Sequence, residues 1–490
     1  MIIDDLRRLA KNSLGFSIGT ILSQTIGFFL LPIYTRYLTP ADYGILSMAT
    51  VVTSILMIFL LFGQRGAIGR FYFDYYHNPE QLKDYLSTIF LSVGLISLIG
   101  CIIISLFGDT IFTTLIPDIP FNPYLILAIW TAFLGIPLNF ALILLQAREQ
   151  AYTFSAINVI KFLITTILII FFVVVLREGA LGSLKGQFIC SIIFLFVAIG
   201  YLRKDIAIKF DSNKFKESFK FGLPLIPHML AGWTMSLTDR LFLNWYCDLS
   251  IVGLYSLGYQ FGSIMNLITT SINFAWVPFF MSKATNDGEK AKPSFSRLTT
   301  YYMALIIFIG LGIVFFAKDV IQIMTVPAYY DSYQVVLLMF LAFTLNGMYY
   351  MVVNQILFLK KTKILAIITF SGALFNVILN VLLIPEYGMI GAASATAITH
   401  FITFVGVFFI SNRLYPIKYE YIRIGKILII GILVYGISLV LPEYDVLGDV
   451  IIKSLLVLLY PVGLFIIRVF TDEEIKQGRD YATKTINRFI

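Results

Sequence analysis

The sequence predicts an all-α polytopic membrane protein with about fourteen transmembrane helices. Its composition, 59% apolar and 13% charged residues with a mean hydropathy of +0.87, lies outside the usual balance of soluble domains. Apolar runs of the length that a spanning helix needs, about 20 residues, recur along the chain and exceed what barrel strands require. The predicted spans are 13–35, 43–64, 86–107, 121–146, 152–176, 180–202, 219–243, 251–281, 298–317, 333–358, 364–384, 388–411, 424–441 and 450–469.

The basic residues predict the orientation of these spans. Cytoplasmic segments carry an excess of Lys and Arg, and 29 of the 36 basic residues fall on one set of alternate segments. The opposite, outward segments hold only Arg36, Arg177, Arg240 and Lys318. This split predicts an even number of spans with both termini cytoplasmic. Because the net charge of +8 is dispersed, it indicates contact with anionic lipid, and no nucleic-acid partner is expected.

Two parts of the chain repeat each other at an offset of 209 residues. Tyr37 and Tyr246, Gly44 and Gly253, Ser47 and Ser256, and Gln146 and Gln355 are related in this way, and GALG at 179–182 corresponds to GMIG at 388–391. Coincidence between apolar sequences is the alternative explanation. Six spans separate the copies, so both have the same orientation in the membrane, which predicts a pseudo-two-fold axis along the membrane normal.

This duplication predicts the domain organisation. Residues 1–202 form an N-terminal lobe of six spans, and residues 219–412 form a C-terminal lobe of six more. Residues 203–218 are a basic cytoplasmic linker, and residues 413–490 hold spans 13 and 14 and a cytoplasmic tail. A cleft between two such lobes is the expected binding place in a transporter.

Two motifs lie at the repeated positions, RYLTPADYGILS at 36–47 and TDRLFLNWYCDLSIVGLYSLGYQFGSI at 238–264. Both resemble the polysaccharide-exporter branch of the multidrug/oligosaccharidyl-lipid/polysaccharide flippase superfamily, which includes O-antigen flippases. The resemblance implies a flippase in a bacterial cytoplasmic membrane that carries a polyprenyl-pyrophosphate-linked oligosaccharide to the outer leaflet by alternating access. It also implies membrane lipids, a polysaccharide polymerase and assembly proteins as partners.

The sequence departs from two other branches of that superfamily. Relatives that flip the peptidoglycan precursor carry an Arg-Asp pair after a glycine in the first span, whereas Gly27 is followed by Phe28, Phe29, Leu30 and Leu31. Multidrug exporters commonly use an acidic residue in the first span, and this span has none. A drug or metabolite exporter stays an alternative. An enzyme is not expected, since no catalytic motif, large outward loop, cofactor signature or metal spacing appears.

Lys161 is the only charged residue between Tyr152 and Leu176. A lysine at the centre of a spanning helix costs about 2.5–3.5 kcal/mol, so it usually faces a partner, a cavity or water. Asn158 lies three positions earlier, on the same helical face. We expect Lys161 to attract an anionic cargo and Asn158 to bind a sugar, although a helix-to-helix hydrogen bond explains Asn158 equally well. Snorkelling, or pairing with a polar group on a neighbouring helix, is the alternative for Lys161.

Other polar residues in or near the spans are candidate contacts. Asn376 and Asn380 share a helical face and suit sugar hydroxyl groups, although helix-to-helix hydrogen bonds explain them equally well. Asp239 and Arg240 point in different directions on a helix, so each is expected to meet another element rather than its neighbour. The resemblance implies gating or substrate contact for this pair, and a structural salt bridge is the alternative.

Basic residues at the span ends and two histidines complete the candidates. Arg36, Arg65 and Arg70 are candidate contacts for the pyrophosphate, although the orientation rule also explains the cytoplasmic pair. His228 and His400 are candidates for proton coupling, with packing as the alternative. The coupling ion, H⁺ or Na⁺, stays open.

Overall fold

The structure is a computed structural model that describes residues 27–28, 30–442, 446–472, 474 and 476. Every regular element in these ranges is helical. Most of the first predicted span and the end of the predicted tail lie outside the described residues. The α-helices are α1 (Leu31–Tyr37), α2 (Pro40–Leu60), α3 (Gln64–Tyr75), α4 (Pro79–Leu115), α5 (Ile126–Ala147), α6 (Ala151–Ile170), α7 (Gly179–Leu202), α8 (Ser212–Gly222), α9 (Ile226–Tyr246), α10 (Leu249–Asp287), α11 (Lys292–Met324), α12 (Val336–Phe358), α13 (Thr362–Leu414), α14 (Tyr421–Val440) and α15 (Val446–Ile466).

Ten helical stretches in the described ranges are long and apolar enough to cross a membrane. One of them, Thr362–Leu414, contains two predicted spans. Its 53 residues would extend about 80 Å as a straight helix, yet Asn376 Nδ2 donates to Thr399 Oγ1 across 3.3 Å. The chain therefore folds back between these residues, at Gly388, where φ is 53° and ψ is −129°.

The stretch Leu249–Met324 also holds two predicted spans. A 3₁₀ turn at Gly288–Ala291 separates α10 from α11, and the rings of Phe280 and Phe295 stack with centroids 4.4 Å apart. Both stretches are thus pairs of helices, as predicted. The total of fourteen spans and the cytoplasmic position of the termini stay predictions.

The described residues divide into two compact units. The first takes the chain up to Phe261 together with Ile321–Met339 and Thr362–Thr403, and the second takes Gly262–Val320, Phe340–Lys361 and the residues from Phe404 onward. Within the first unit, α7 packs against α5 and α6, and α2 packs against α5 and α9. Within the second unit, α14 packs against α15. The division into six-span lobes stays a prediction.

The repeated Gly-x-x-Gly segments adopt the same unusual backbone. Gly179 and Gly388 have φ values of 58° and 53°, in the left-handed region that glycine enters without a steric penalty. A Cβ atom at Gly182 would lie 3.0 Å from Phe172, and one at Gly391 would lie 2.3 Å from the oxygen of Leu383. Each copy therefore makes a left-handed turn and then packs its second glycine closely against the preceding segment.

The predicted linker contains a helix that the sequence reading missed. Helix α8 is capped by Asp211, whose Oδ1 accepts hydrogen bonds from the amides of Asn213 and Lys214. Its Ser218 hydroxyl donates to Gln64 Oε1 across 2.6 Å, so α8 is held against α3. The predicted start of the seventh span, residue 219, lies within α8, and a 3₁₀ turn at Leu223–Leu225 precedes the start of α9 at Ile226.

Candidate functional site

The two repeat copies meet at the first turns of α2 and α10. Thr39 caps α2, with its hydroxyl accepting from the amide of Asp42 across 3.1 Å. A Cβ atom at Gly44 would lie 2.0 Å from the oxygen of Leu249, and one at Gly253 would lie 1.9 Å from the oxygen of Pro40. Pro40 and Leu249 are themselves 209 positions apart, so the contact is reciprocal, as expected for elements that a two-fold axis relates.

One turn further on, the repeated serines touch. The hydroxyl oxygens of Ser47 and Ser256 lie 2.7 Å apart, so the two side chains form a hydrogen bond. Ser47 also accepts a hydrogen bond from Nε of Arg240 across 3.1 Å. Backbone-to-backbone glycine packing, the pair of serine hydroxyl groups and a hydrogen bond from the Tyr43 hydroxyl to Gln260 Oε1 across 2.7 Å thus join the two helices in this region.

Arg240 and Asp239 form a buried ion pair beside the serines. Arg240 Nη1 lies 3.0 Å from Asp239 Oδ1, and the two residues are 6% and 2% exposed. The expectation that neighbouring helical residues would not pair is wrong. The aspartate turns toward the amide that follows it, which donates across 2.9 Å, and the long arginine side chain reaches back to the same oxygen.

Each member of the pair also meets another helix, as predicted. Tyr255 donates its hydroxyl to Asp239 Oδ2, and the guanidinium carbon of Arg240 lies 4.5 Å from the ring centroid of Tyr259. A desolvated cation over an aromatic face is stabilised by about 2 kcal/mol. Burial of both charges is therefore offset by an ion pair, hydrogen bonds and two aromatic rings.

Sequence reasoning missed Tyr255 and Tyr259 as members of this cluster. Their spacing of four residues places them on one face of α10, next to the repeated Ser256, and that spacing is the signal that could have identified them. The cluster holds one acid and one base, so it balances its own charge. It is suited to fixing two helices in one arrangement, and it supplies no free charge to a cargo.

Lys161 lies on α6 with an exposed side chain, away from this cluster. The exposed apolar residues Ile160, Leu163 and Ile167 follow one side of α6, and Lys161 falls outside that stripe because successive residues differ by about 100°. Its side chain makes no hydrogen bond or ion pair with the described residues. Asn158, half-buried, donates to the oxygen of Phe154 in its own helix across 2.9 Å.

The two asparagines of α13 are buried rather than open to a cavity. Asn380 Nδ2 donates to Asn376 Oδ1 across 3.1 Å, and Asn376 in turn donates to Thr399. This arrangement corresponds to the helix-to-helix alternative. A role in binding sugar stays a prediction.

The structure spreads the basic candidates over separate surfaces. Arg70 forms an exposed ion pair with Asp74, one turn away on α3, and Arg65 reaches Gln146 Oε1 across 3.5 Å. Arg36 lines a recess that also contains Arg177. None of the three joins the Asp239–Arg240 pair.

The histidines do not share a site in the described residues. His228 is exposed near the start of α9, whereas His400 is half-buried in the second segment of α13. Proton coupling by either histidine stays a prediction.

Comparisons with known proteins bear on this arrangement. A family model described as polysaccharide biosynthesis protein matches residues 9–284, more than half of the chain. The capsular polysaccharide biosynthesis protein CapF of Staphylococcus aureus is 24% identical over 83% of this chain and 100% of its own. The probable low-salt glycan biosynthesis flippase Agl15 of Haloferax volcanii is 24% identical over 88% of this chain and 89% of its own.

Among solved structures, the lipid II flippase MurJ in an inward closed conformation superposes with a TM-score of 0.74. It is 18% identical, and the match covers 93% of this chain and 99% of that one. The fold of this chain is therefore the one that MurJ adopts. With its ten described stretches that can cross a membrane, the protein is a multi-pass membrane protein, and it belongs to the polysaccharide biosynthesis protein family.

Proposed function

We propose that this protein is a flippase. It moves a polyprenyl-pyrophosphate-linked oligosaccharide repeat unit from the inner to the outer leaflet of the cytoplasmic membrane, for assembly of a surface polysaccharide such as O-antigen, capsule or exopolysaccharide. Membership of the polysaccharide biosynthesis protein family supports the glycan as cargo. The names of Agl15 and MurJ, both flippases, support leaflet exchange as the activity. Transport of this kind involves no covalent step, so no catalytic residue is assigned.

The reciprocal contact between Gly44 and Gly253 carries the proposal of alternating access. A transporter needs a closure on each side of its cargo, and that closure must open without disrupting the helices that form it. Glycine packing leaves few interlocked side chains, and the Ser47–Ser256 and Tyr43–Gln260 hydrogen bonds contribute only about 0.5–1.5 kcal/mol each. The two helix starts can therefore separate at modest cost. Because both follow segments predicted to be outward, we assign this contact to the outer closure.

The cargo is proposed to be anionic, and its polyprenyl tail stays in the lipid while the head group crosses. Lys161 supports this part of the proposal, because it is a cation within a spanning helix, has no acidic partner in the described residues and lies outside the apolar stripe of α6. The Asp239–Arg240 pair contributes no net charge, so the positive potential along the cargo route would come from Lys161 and from the basic residues at the span ends.

Reconstituted vesicles test the function directly. The purified protein is placed in liposomes that contain a fluorescent polyprenyl-pyrophosphate-linked oligosaccharide, and an impermeant quencher reports the fraction in the outer leaflet. We expect the quenched fraction to rise from one half toward completeness only in vesicles with active protein. Vesicles without protein serve as the inactive control.

A soluble cationic dye trapped in parallel vesicles tests the alternative of a drug or metabolite exporter. Escape of the dye without movement of the labelled lipid would favour the exporter and would contradict the proposed cargo. Movement of the lipid with retention of the dye would support the flippase.

A further inference from the structure

A recess of about 480 Å³ lies where the end of α1 meets the segment between α6 and α7. It is lined by Arg36, Tyr37, Val173 and Arg177. We propose that the two arginines form an anion site for a phosphate-bearing group at the membrane surface. The site is separate from the Asp239–Arg240 cluster, and it rests on the proposed function only where the anion is the pyrophosphate of the carrier.

The acids closest to the recess in the chain are already engaged. Glu178 follows Arg177 directly but pairs with Lys185 across 2.9 Å. Asp42 accepts hydrogen bonds from the amides of Thr39 and Ala180, across 2.9 and 3.1 Å. Glu178 is therefore paired elsewhere and Asp42 is held by backbone amides, and Arg36 and Arg177 make no ion pair within the part of the chain that the structure describes. Two like charges facing one recess repel each other unless an anion lies between them.

The distribution of basic residues points to the same place. The orientation rule depletes Lys and Arg on the outward side, and only four basic residues remain there in the predicted topology. Two of these four converge on the recess, although they come from segments about 140 residues apart in the chain. A third, Arg240, is neutralised by Asp239. Basic residues that are retained where topology disfavours them, and that meet in one recess, indicate a ligand.

The chemistry of the lining suits a phosphate. A guanidinium group offers paired N–H donors that match two phosphate oxygens, which a lysine does not. Tyr37, 43% exposed, and the apolar Val173, 1% exposed, complete the lining. Such a group has two sources at this position: the head group of an anionic phospholipid or the pyrophosphate of a glycan carrier.

The two sources are separated by two probes applied to the full-length protein. In the first arm, nanodiscs of phosphatidylcholine contain a small fraction of phosphatidylglycerol, and native mass spectrometry counts the phosphatidylglycerol molecules retained. In the second arm, inorganic pyrophosphate is titrated into the protein in phosphatidylcholine nanodiscs, with heat of binding as the readout. The test variant is R36Q/R177Q. The control is K290Q/K363Q, which removes two exposed cationic charges elsewhere.

We expect R36Q/R177Q to weaken binding at least tenfold in one arm or both, with K290Q/K363Q unchanged, and R36K/R177K to retain part of the affinity. Loss confined to phosphatidylglycerol identifies the lipid head group as the ligand, and loss confined to pyrophosphate identifies the carrier group. Equal binding by wild type and R36Q/R177Q in both arms, or no binding by wild type in either, overturns the proposal. Thermal unfolding of each variant checks that the protein is folded, and a misfolded R36Q/R177Q is replaced by the single variants.

Discussion

Ser47 and Ser256 occupy the same position in the two repeat copies, and their hydroxyl oxygens lie 2.7 Å apart. A residue that touches its own repeat equivalent must lie next to the axis that relates the copies. In the predicted duplication, the pseudo-two-fold axis would pass between these serines. The reciprocal packing of Gly44 on Leu249 and of Gly253 on Pro40 agrees with that position.

The glycine contact predicts a steric requirement at two positions. Alanine at Gly44 or Gly253 would place Cβ about 2 Å from a backbone oxygen, so the helices must move apart, and we expect destabilisation of about 1–3 kcal/mol. Gly94 and Gly100 in α4 have open space around them. Alanine there should be neutral or stabilising by about 0.5–1 kcal/mol. Thermal unfolding in detergent compares the four variants, and equal stability of G44A and G100A would contradict the packing.

A disulfide at the serine pair should arrest transport. Cysteines at positions 47 and 256 would bring their sulfur atoms close to the 2.05 Å of a disulfide with little backbone movement. In a background without Cys101, Cys190 and Cys247, we expect oxidised S47C/S256C to lose lipid movement in vesicles and reduction to restore it. Each single variant should stay active. Full activity of the cross-linked protein would show that this contact does not open.

Variants of the Asp239–Arg240 pair should distinguish its contribution to stability from its contribution to transport. Asp239→Asn leaves a buried arginine without its partner, which should cost about 3–5 kcal/mol, whereas Asp74→Asn in the exposed Arg70 pair should cost at most about 1 kcal/mol. The equivalent positions of the first copy are Leu30 and Leu31.

The double variant D239L/R240L therefore places the two leucines of the first repeat copy at the equivalent positions of the second copy. We expect it to recover the unfolding temperature of the wild type, since apolar replacement of a buried pair is often neutral, and to lose transport if the pair sets the conformational equilibrium. Wild-type transport by this variant would show that the Asp239–Arg240 pair contributes only to packing.

Charge reversal at Lys161 tests the anionic cargo. Lys161→Glu should abolish export of the surface glycan at normal protein levels, because the carboxylate would repel a pyrophosphate or acidic sugar. Lys161→Arg keeps the charge and should retain most of the export. Surface polysaccharide is measured on intact cells with protein abundance checked by immunoblot, and unchanged export by the glutamate variant would remove Lys161 from the cargo route.

The second unit contains a carboxylate with a pH-dependent role outside the spans. Burial alone would raise the pKa of Glu474, but hydrogen bonds from Tyr301, the amide of Thr471 and Arg423 outweigh it and lower the pKa to about 2. Arg423 approaches this carboxylate through both terminal nitrogens, across 2.7 and 3.2 Å.

A lowered pKa means that the stabilisation is complete above the ordinary value for glutamate, about 4.3, and is lost as the pH falls through about 2. We expect wild type to unfold at a higher temperature than E474Q at pH 7, with a difference that narrows below pH 4. A difference that stays constant down to pH 3 would contradict the ionised state of Glu474.

The helical fold could be predicted because the local pattern of apolar residues determines it, whereas the duplication rests on a sequence offset and stays a prediction. The turn at Gly388 follows from its equivalence to Gly179, since both need a left-handed backbone. A sequence offset shows which residues correspond, but it does not show which residues are close in space. The contact between Ser47 and Ser256 could therefore be seen only in the structure. Proximity in space depends on how the helices pack, which apolar runs of similar composition do not specify.

Two misreadings have physical causes. The pairing of Asp239 with Arg240 was missed because a helical wheel treats side chains as short radial vectors, whereas an arginine can fold back along its own helix. Helix α8 was read as loop because it is short and highly charged. The capping aspartate and the four-residue spacing of Phe215 and Phe219, whose ring centroids lie 4.3 Å apart in the structure, were the available signals.

The attachment of α8 determines where this polypeptide can be cut into separately produced fragments. Ser218 forms hydrogen bonds with Gln64 and Tyr85, and the amide of Ala207 donates to Ser87. The segment between the predicted lobes is therefore attached to the amino-terminal part of the chain by hydrogen bonds. A break near residue 203 would separate α8 from the amino-terminal fragment and leave the packing surface of α8 exposed on the other fragment. A break after Gly222 would keep these hydrogen bonds intact. Two co-expressed fragments, one ending at Gly222 and one starting after it, should therefore reassemble.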